Sequence, residues 1–114
     1  MVSHMSEVLV VTTPTLPGFK IKRIIGLVYG SSVRTRGLGG RIAAGIRAVV
    51  GGRGGAYLRE LERAREEAIE KLRERARELG ANAVIGVDFE TTEILEGFIV
   101  VTAYGTAVEV EPEA

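Results

Sequence analysis

The chain has 114 residues and a mass of 12.2 kDa, the size of one small domain. Fifteen basic and fifteen acidic side chains cancel, so net charge alone favours neither nucleic acid nor an acidic partner. The absence of cysteine excludes disulfides, thiolate catalysis and cysteine-ligated metals, and the single histidine, His4, excludes a core Ser-His-Asp triad. No apolar run is long enough to cross a bilayer and no signal peptide opens the chain, so we expect a cytoplasmic protein.

The N-terminal part of the chain predicts a tail, a strand and a break. Residues 1–6 have no periodicity and resemble a disordered tail or cloning scar, which leaves residues 7–114 as a single domain. Residues 7–13 are rich in β-branched side chains, which favour a strand. Two prolines and a glycine in residues 14–18 end that strand.

The next segment predicts a second strand and a first helix. Residues 19–29 alternate loosely between apolar and basic side chains, with a bulge expected near residues 24–26. Residues 30–36 are polar and basic and are interpreted as a connection. Apolar side chains then recur at helical spacing over residues 37–50, which favours a helix despite its glycines.

The C-terminal half predicts a long helix and two strands. Residues 56–79 carry one apolar stripe among alternating Glu and Arg, and Gly80 suits the position after the helix end. Residues 82–92 alternate as a strand with Ala83, Ile85, Val87 and Phe89 on one side, residues 93–96 form a turn, and residues 98–110 form the last strand. The order β-β-α-α-β-β predicts an α+β fold, with a small antiparallel sheet and helices on one face.

Charge is strongly segregated along the chain. Residues 8–59 contain nine bases and no acid, whereas residues 80–114 contain seven acids and no base. Opposite charges attract across neighbouring strands, so these regions are expected to pair within the chain, between copies, or both. Arginine outnumbers lysine by twelve to three, which is compatible with bidentate ion pairing, a GC-rich genome or a hot habitat.

Several sequence blocks are similar to the YbjQ-like family, and they occur in the family's order between about Val10 and Val110. The blocks are Gly26, Gly30–Arg36, Gly45–Gly52, Glu66–Ala68, Leu79–Val87 and Ala103–Val108. The resemblance implies a dodecin-like α+β subunit and homopentamers whose sheets join around a central axis. The family is largely uncharacterised and carries a heavy-metal-binding label.

The label does not suit this composition. Soft metals prefer thiolate or thioether ligands and intermediate ones prefer imidazole. The chain has no cysteine, and His4, Met1 and Met5 all lie in the tail, so we predict no cofactor. Asp88 and Glu90, two residues apart on one predicted strand, are the remaining candidates for a hard cation, although partners for arginines or a solvated face are the favoured interpretation.

Three arginines at the predicted loop-to-helix junction suggest an anion site. Arg34, Arg36 and Arg41 flank glycines, and exposed helix N-termini and guanidinium groups bind phosphate or carboxylate. The favoured alternative is a subunit contact, in which the glycines allow close packing and the arginines pair with acids of a neighbouring copy. Gly45, Arg47 and Tyr104 are the residues predicted for that interface.

The sequence is therefore compatible with two functions. The first is a homo-oligomeric, non-enzymatic module, pentameric by resemblance, that partners with itself and has room for a small ligand or ion in the assembled ring. The alternative is an anion or nucleic-acid binder that uses the arginine- and glycine-rich segment 34–53. Nucleic acid is the less favoured partner, and no membrane is expected.

Overall fold

The computed structural model describes residues 7–35, 55–95 and 98–113. Within these ranges the chain forms one four-stranded sheet and one helix, so the α+β class is confirmed. The predicted helix over residues 37–50 lies outside the described residues. The elements are β1 (Leu9–Val10), β2 (Phe19–Thr35), α1 (Gly55–Glu78), β3 (Ala83–Leu95) and β4 (Phe98–Pro112), with the strands in the order β1-β3-β4-β2.

The antiparallel sheet expected from the sequence is in fact mixed. The first strand contains only Leu9–Val10 and runs parallel to β3, on the opposite edge from β2. Between them the break around Pro14–Gly18 carries the chain from one edge of the sheet to the other, and Leu16 packs on Ala83 and Val108 as it crosses. The two N-terminal strands therefore lie on opposite edges, and the expectation of a purely antiparallel sheet is wrong because β1 pairs in parallel with β3.

Strand β2 is longer than the sequence indicates. It pairs antiparallel with β4 from Phe19 to Thr35, so the segment interpreted as a polar connection continues the strand. Pairing with β4 supplies the reason, since the Ser31 and Thr102 hydroxyls lie opposite each other and hydrogen bond at 2.8 Å. The bulge expected near residues 24–26 is confirmed, and a second one lies between Ile21 and Arg23.

Helix α1 covers one face of the sheet, which we call the helix face. Its bounds agree with the prediction within one residue, and Gly80 follows it with φ of +90°. The apolar stripe is made of small side chains around one leucine, all fully buried against the sheet: Ala64, Ala68, Leu72 and Ala76. Small residues permit a close approach of helix and sheet, so the core beneath α1 is thin and tightly packed.

The closest approach occurs at Gly30 of β2. A Cβ atom there would lie 2.6 Å from the Ala68 carbonyl oxygen and 2.8 Å from the Lys71 carbonyl carbon. Two cationic side chains of α1 contact backbone carbonyls at opposite edges of the sheet. The Lys71 Nζ donates to the Ser31 carbonyl at 3.0 Å, and the Arg73 Nε donates to the Val8 carbonyl at 2.9 Å.

A bulge in β3 changes which side chains share a face. Gly86 has φ of +64° and the register shifts between Ile85 and Asp88. Val84 and Val87 consequently belong to the helix-face core, whereas Ile85 packs with the cluster on the opposite face. The regular alternation that placed Ile85 and Val87 on one side is therefore wrong. The predicted turn over residues 93–96 is also too early, because the strand continues to Leu95.

Candidate functional site

The sheet face opposite α1 is only partly covered by the described elements. A small apolar cluster around Leu16 covers the end of this face near Ala83 and Val108, but no described element lies over the rest of it. We call this uncovered region the open face. It consists of Leu27, Tyr29, Ser31 and Val33 of β2, of Val100, Thr102, Tyr104 and Thr106 of β4, and of Asp88, Glu90 and Thr92 of β3.

Neighbouring residues of β2 show how different the two faces are. Val28 is 2% exposed and Ser32 is 0% exposed on the helix face. Leu27 and Tyr29, on the open face, are 70% and 61% exposed. The larger apolar side chains of this strand thus point away from the core, which is the reverse of what burial of a single copy favours.

Two tyrosines and an aspartate form a row across the open face. Tyr29 lies opposite Tyr104 on β4, which in turn lies opposite Asp88 on β3. Both rings are exposed in the single copy. Tyrosine presents an apolar ring with a hydrogen-bonding tip, a combination suited to contact surfaces. Tyr104, predicted from the sequence as an interface residue, lies on the open face, and its role in an interface stays a prediction.

A polar cluster joins the C-terminal end of β2 to α1 on the helix face. The buried Ser32 hydroxyl donates to the Glu67 carboxylate. The Arg34 guanidinium lies 3.5 Å from a Glu60 oxygen and 3.7 Å from a Glu67 oxygen, while its buried Nε has no hydrogen-bond partner among the described residues. Two carboxylates of α1 thus bind Ser32 and Arg34 of β2.

The cluster lowers the pKa of Glu67 below its ordinary value of 4.5. The largest cause is the hydrogen bond from Ser32; desolvation opposes it, and the positive charges of Arg34 and Lys71 reinforce it. Because a hydrogen-bonded and ion-paired carboxylate is favoured in its charged form, Glu67 stays ionised as a fixed partner of β2. We interpret the cluster as a structural clamp between β2 and α1.

The residues predicted for anion binding are only partly described. Arg34 faces the two helix carboxylates, so its charge is already compensated within the copy. Arg36 and Arg41 lie outside the described residues, as do the predicted interface residues Gly45 and Arg47. An anion site at this junction therefore stays a prediction.

Asp88 and Glu90 lie together on the open face, as their spacing predicted. Both are exposed, and one Asp88 oxygen accepts the backbone N–H of Phe89 at 2.8 Å. Among residues 7–35, 55–95 and 98–113, no group of three or more His, Cys, Asp or Glu side chains is arranged to hold a metal ion. Two carboxylates are a weak donor set, suited at most to a hard cation.

The exposed apolar residues Leu27 and Val33 were not identified from the sequence as functional. Leu27 belongs to the loose alternation of residues 19–29, and Val33 lies in a segment that appeared polar. A signal was present in the regular spacing of Leu27, Tyr29, Ser31 and Val33, which share one face of an extended strand. The two serines and Gly30 obscured it because those residue types favour turns.

Comparison with known proteins identifies the family. A family model described as "Putative heavy-metal-binding", named YbjQ, matches residues 8–111. The chain belongs to the YbjQ family. It is 50% identical over 107 residues to a UPF0145 protein of Methanoregula boonei, covering 94% of this chain and 89% of that protein. A UPF0145 protein of Sulfurisphaera tokodaii is 48% identical over 105 residues, and the match covers 92% of each chain.

A solved structure shares the fold of this YbjQ-family chain. It is a protein of unknown function from the DUF74 family of Pediococcus pentosaceus, with a TM-score of 0.62 and 21% sequence identity. The match covers 91% of this chain and 98% of the other, so it supports the arrangement of sheet and helix over nearly the whole domain.

The heavy-metal description of the family model does not fit this chain's residues. Thiolate and imidazole donors are absent from the sequence apart from His4, which lies outside the described residues. The described carboxylates form no metal-binding group. Among the same residues no helix is long and apolar enough to cross a membrane.

Proposed function

We propose that this YbjQ-family chain is a homo-oligomeric, non-enzymatic module whose copies cover one another's open faces. The observation that supports the proposal most directly is the exposure of Leu27, Tyr29 and Val33 along an edge strand. Long edge strands with apolar side chains are templates for association and are normally shortened, charged or covered. Here most of the strand is left uncovered by the described elements, so a second copy is the simplest partner.

The size of the domain supports the same conclusion. The core beneath α1 is built mainly of alanine and valine, and the larger open-face side chains contribute little burial within one copy. Burying apolar area contributes about 25 cal/mol per Å², so covering a leucine and a tyrosine of this exposure is a substantial gain for a small domain. Contiguous exposed apolar surface of this kind is typical of protein interfaces.

The non-enzymatic part of the proposal is supported by the Ser32 environment. Ser32 has the one serine hydroxyl in the described ranges that donates to a carboxylate, as an activated nucleophile would. It is fully buried beneath α1, so a substrate has no access to it. Its hydrogen bond holds strand and helix together rather than preparing an attack.

The pentameric number comes from the family resemblance, and we keep it as part of the proposal together with a cytoplasmic location. A ring of copies would repeat the Asp88 and Glu90 carboxylates at equal intervals. Any ion bound there would be a hard cation, because the donors are oxygen atoms. A small ligand or ion in the ring thus remains a secondary part of the proposed function.

Light scattering coupled to size-exclusion chromatography tests the proposal. The untagged chain is expected to elute at a multiple of 12.2 kDa. Leu27→Asp places a charge on the open face and should shift the mass to that of one copy. Leu58→Asp is the matched control, because Leu58 is also exposed but lies on α1 away from the open face, and it should leave the mass unchanged. A native chain that elutes as a single copy at all concentrations would contradict the proposal.

A further inference from the structure

We propose that the open face binds a short aliphatic diamine or polyamine, with ammonium groups on Asp88 and Glu90 and the methylene chain over Tyr104. The inference names the small ligand that the proposed function leaves open. It rests on that function only for the repetition of the site in an assembled ring, because the residues that form the site all belong to one copy.

The open face is acidic and has no compensating base of its own. Asp88 and Glu90 are both exposed, and neither forms an ion pair with another side chain of the described ranges. The residues that define this face include no lysine, arginine or histidine. Uncompensated carboxylates on one surface attract cations, and a ligand with two positive charges would neutralise both.

The basic side chains close to β2 have partners of their own. The Lys71 Nζ donates to the Ser31 carbonyl at 3.0 Å, and the Arg75 guanidinium lies 3.2 Å from a Glu78 oxygen. Arg34 faces two helix carboxylates on the other side of the sheet. These cations therefore do not neutralise the carboxylates of β3, whose charge is left for a ligand.

Two exposed tyrosine rings lie beside these carboxylates. Tyr104 is the cross-strand partner of Asp88 on one side and of Tyr29 on the other. Side chains directly opposite each other on antiparallel strands have Cβ atoms about 4.5–5.5 Å apart, so the Tyr104 ring is within reach of a cation bound to Asp88. An ammonium group over the face of an aromatic ring is attracted by the quadrupole of the ring. The combination of ring and carboxylate therefore favours an organic ammonium over a hydrated metal ion.

The spacing of the two carboxylates favours a ligand with two charges. Asp88 and Glu90 occupy successive positions on the open face of β3, opposite Tyr104 and Thr102. Alternate residues of a strand are about 7 Å apart, a distance similar to that between the two nitrogens of an extended 1,4-diaminobutane. The apolar chain between the nitrogens would lie along the strand beside the Tyr104 ring. A monoamine of the same length reaches only one of the two carboxylates.

Oxygen atoms next to the carboxylates supply further acceptors. An ammonium group has three N–H donors, more than a single carboxylate oxygen accepts. Thr102, opposite Glu90, shares a hydrogen bond of 2.8 Å with the Ser31 hydroxyl, and its oxygen has a second lone pair. One Asp88 oxygen accepts the Phe89 N–H at 2.8 Å, which orients the carboxylate and leaves its other oxygen to the ligand.

Isothermal titration calorimetry with 1,4-diaminobutane tests this site. At low ionic strength, where screening is weak, the native, untagged chain should bind the diamine. It should bind 1-aminobutane about fivefold more weakly, because the monoamine loses one ion pair. The variant Asp88→Asn, Glu90→Gln should lower the affinity for the diamine by about tenfold. The variant Glu66→Gln, Glu74→Gln is the matched control, since it removes the same charge from exposed positions of α1 and should leave the affinity unchanged.

Tyr104 distinguishes an organic ammonium from a metal ion. Tyr104→Phe keeps an aromatic ring and should bind the diamine as the native chain does. Tyr104→Leu removes the ring and should lower the affinity by about twofold to fivefold. Mg²⁺ titrated in place of the diamine does not contact the ring, so its affinity should be the same for both variants. Circular dichroism of each variant shows that the chain is folded.

A native chain that does not bind the diamine would overturn the inference. Equal losses of affinity from the α1 and β3 variants, or an affinity that Tyr104→Leu leaves unchanged, would overturn it as well. Light scattering on the same samples separates this inference from the proposed function. An assembled chain that does not bind overturns the inference alone, whereas a single copy that binds supports it and removes the proposed self-association. If the β3 variant changes the native mass, the two Tyr104 variants decide the outcome.

Discussion

The two faces of the sheet use the same strands in opposite ways. The helix face of β2 presents Val28, Gly30 and Ser32, small residues that are fully enclosed by α1. The open face presents Leu27 and Tyr29, larger and mostly exposed. The helix face is covered by α1 within one copy, with the Ser32 hydroxyl bonded to Glu67 and the apolar core buried, whereas the open face lacks a cover among the described elements.

This difference indicates that the helix face stabilises each copy and that the open face serves association between copies. Substitutions on the helix face are expected to affect the folding of each copy, and substitutions on the open face are expected to affect association. The following predictions use pairs of neighbouring residues to test that division. Unfolding is compared at fixed protein concentration, because assembly contributes to apparent stability.

The largest effect is expected for Gly30→Ala. The added Cβ would meet backbone atoms of Ala68 and Lys71 that cannot move without displacing α1, so the free energy of unfolding should fall by about 3 kcal/mol or more. Ser31→Ala, on the open face, removes only the hydroxyl bond to Thr102 and should lower it by about 1 kcal/mol. Urea unfolding followed by circular dichroism measures both. Equal losses from the two variants would show that the two faces contribute alike to the folding of one copy.

A second pair of variants replaces two leucines, one beneath α1 and one on the open face. Leu72→Ala leaves a cavity beneath α1 and should lower the free energy of unfolding by about 2–5 kcal/mol at every protein concentration. Leu27→Ala should instead weaken the dependence of unfolding on protein concentration, because its side chain is buried only between copies in our account. Urea unfolding at several protein concentrations distinguishes the two effects. A Leu27→Ala loss that does not depend on concentration would place Leu27 in the core of the single copy.

The clamp on the helix face predicts a pH dependence. The pKa of Glu67 is lowered in the folded chain, chiefly by the Ser32 hydrogen bond, so its stabilising contribution is present above pH 4.5 and is lost as pH falls through the lower folded value. Glu67→Gln should therefore reduce stability at neutral pH and flatten its decline below pH 4.5. Glu74→Gln on the same helix changes the formal charge equally without touching Ser32. Thermal unfolding across this pH range is the measurement, and identical pH profiles for the two variants would contradict the clamp.

The smallest effect is expected where the basic and acidic regions pair on the surface. Arg23 lies 3.2 Å from Glu109 across β2 and β4, and both side chains are partly exposed. Exposed ion pairs contribute about 0–1 kcal/mol, so Glu109→Gln should change the free energy of unfolding by less than that and leave the native mass unchanged. Loss of assembly in this variant would show that the acidic end of β4 serves another copy as well.

The local parts of the fold were predictable from the sequence, and the nonlocal parts were not. Helix α1 was predicted to within one residue because its apolar period and its terminating Gly80 are local signals. The parallel pairing of β1 and the continuation of β2 beyond Tyr29 depend on partners far along the chain. Ser31 and Ser32 favour a turn in isolation and are held in a strand by Thr102 and Glu67.

The candidate site shows the same division. The shared face of Asp88 and Glu90 and the surface position of Tyr104 follow from the two-residue period of a strand. The row formed with Tyr29 needed the register between β2 and β4, which depends on two bulges that place extra residues in β2. The bulge at Gly86 likewise places Val87 on the helix face and Ile85 on the opposite face, and the alternation of residue types in the sequence does not show it.

Hydrogen–deuterium exchange of the β2 backbone amides shows whether another copy covers this strand. Strand β2 is at the edge of the sheet, and the bonds of Asn82 to Val108 and Val110 show that the even-numbered residues of β4 face β3. The N–H groups of Leu27, Tyr29 and Val33, which lie opposite even-numbered β4 residues, therefore point away from β4 in a single copy. Amides without a hydrogen bond exchange rapidly. We expect strong protection of these amides in the native, untagged chain, and loss of that protection in Leu27→Asp while the Val28 amide stays protected. Rapid exchange of the three amides in the native chain at high concentration would show that no other copy covers this edge.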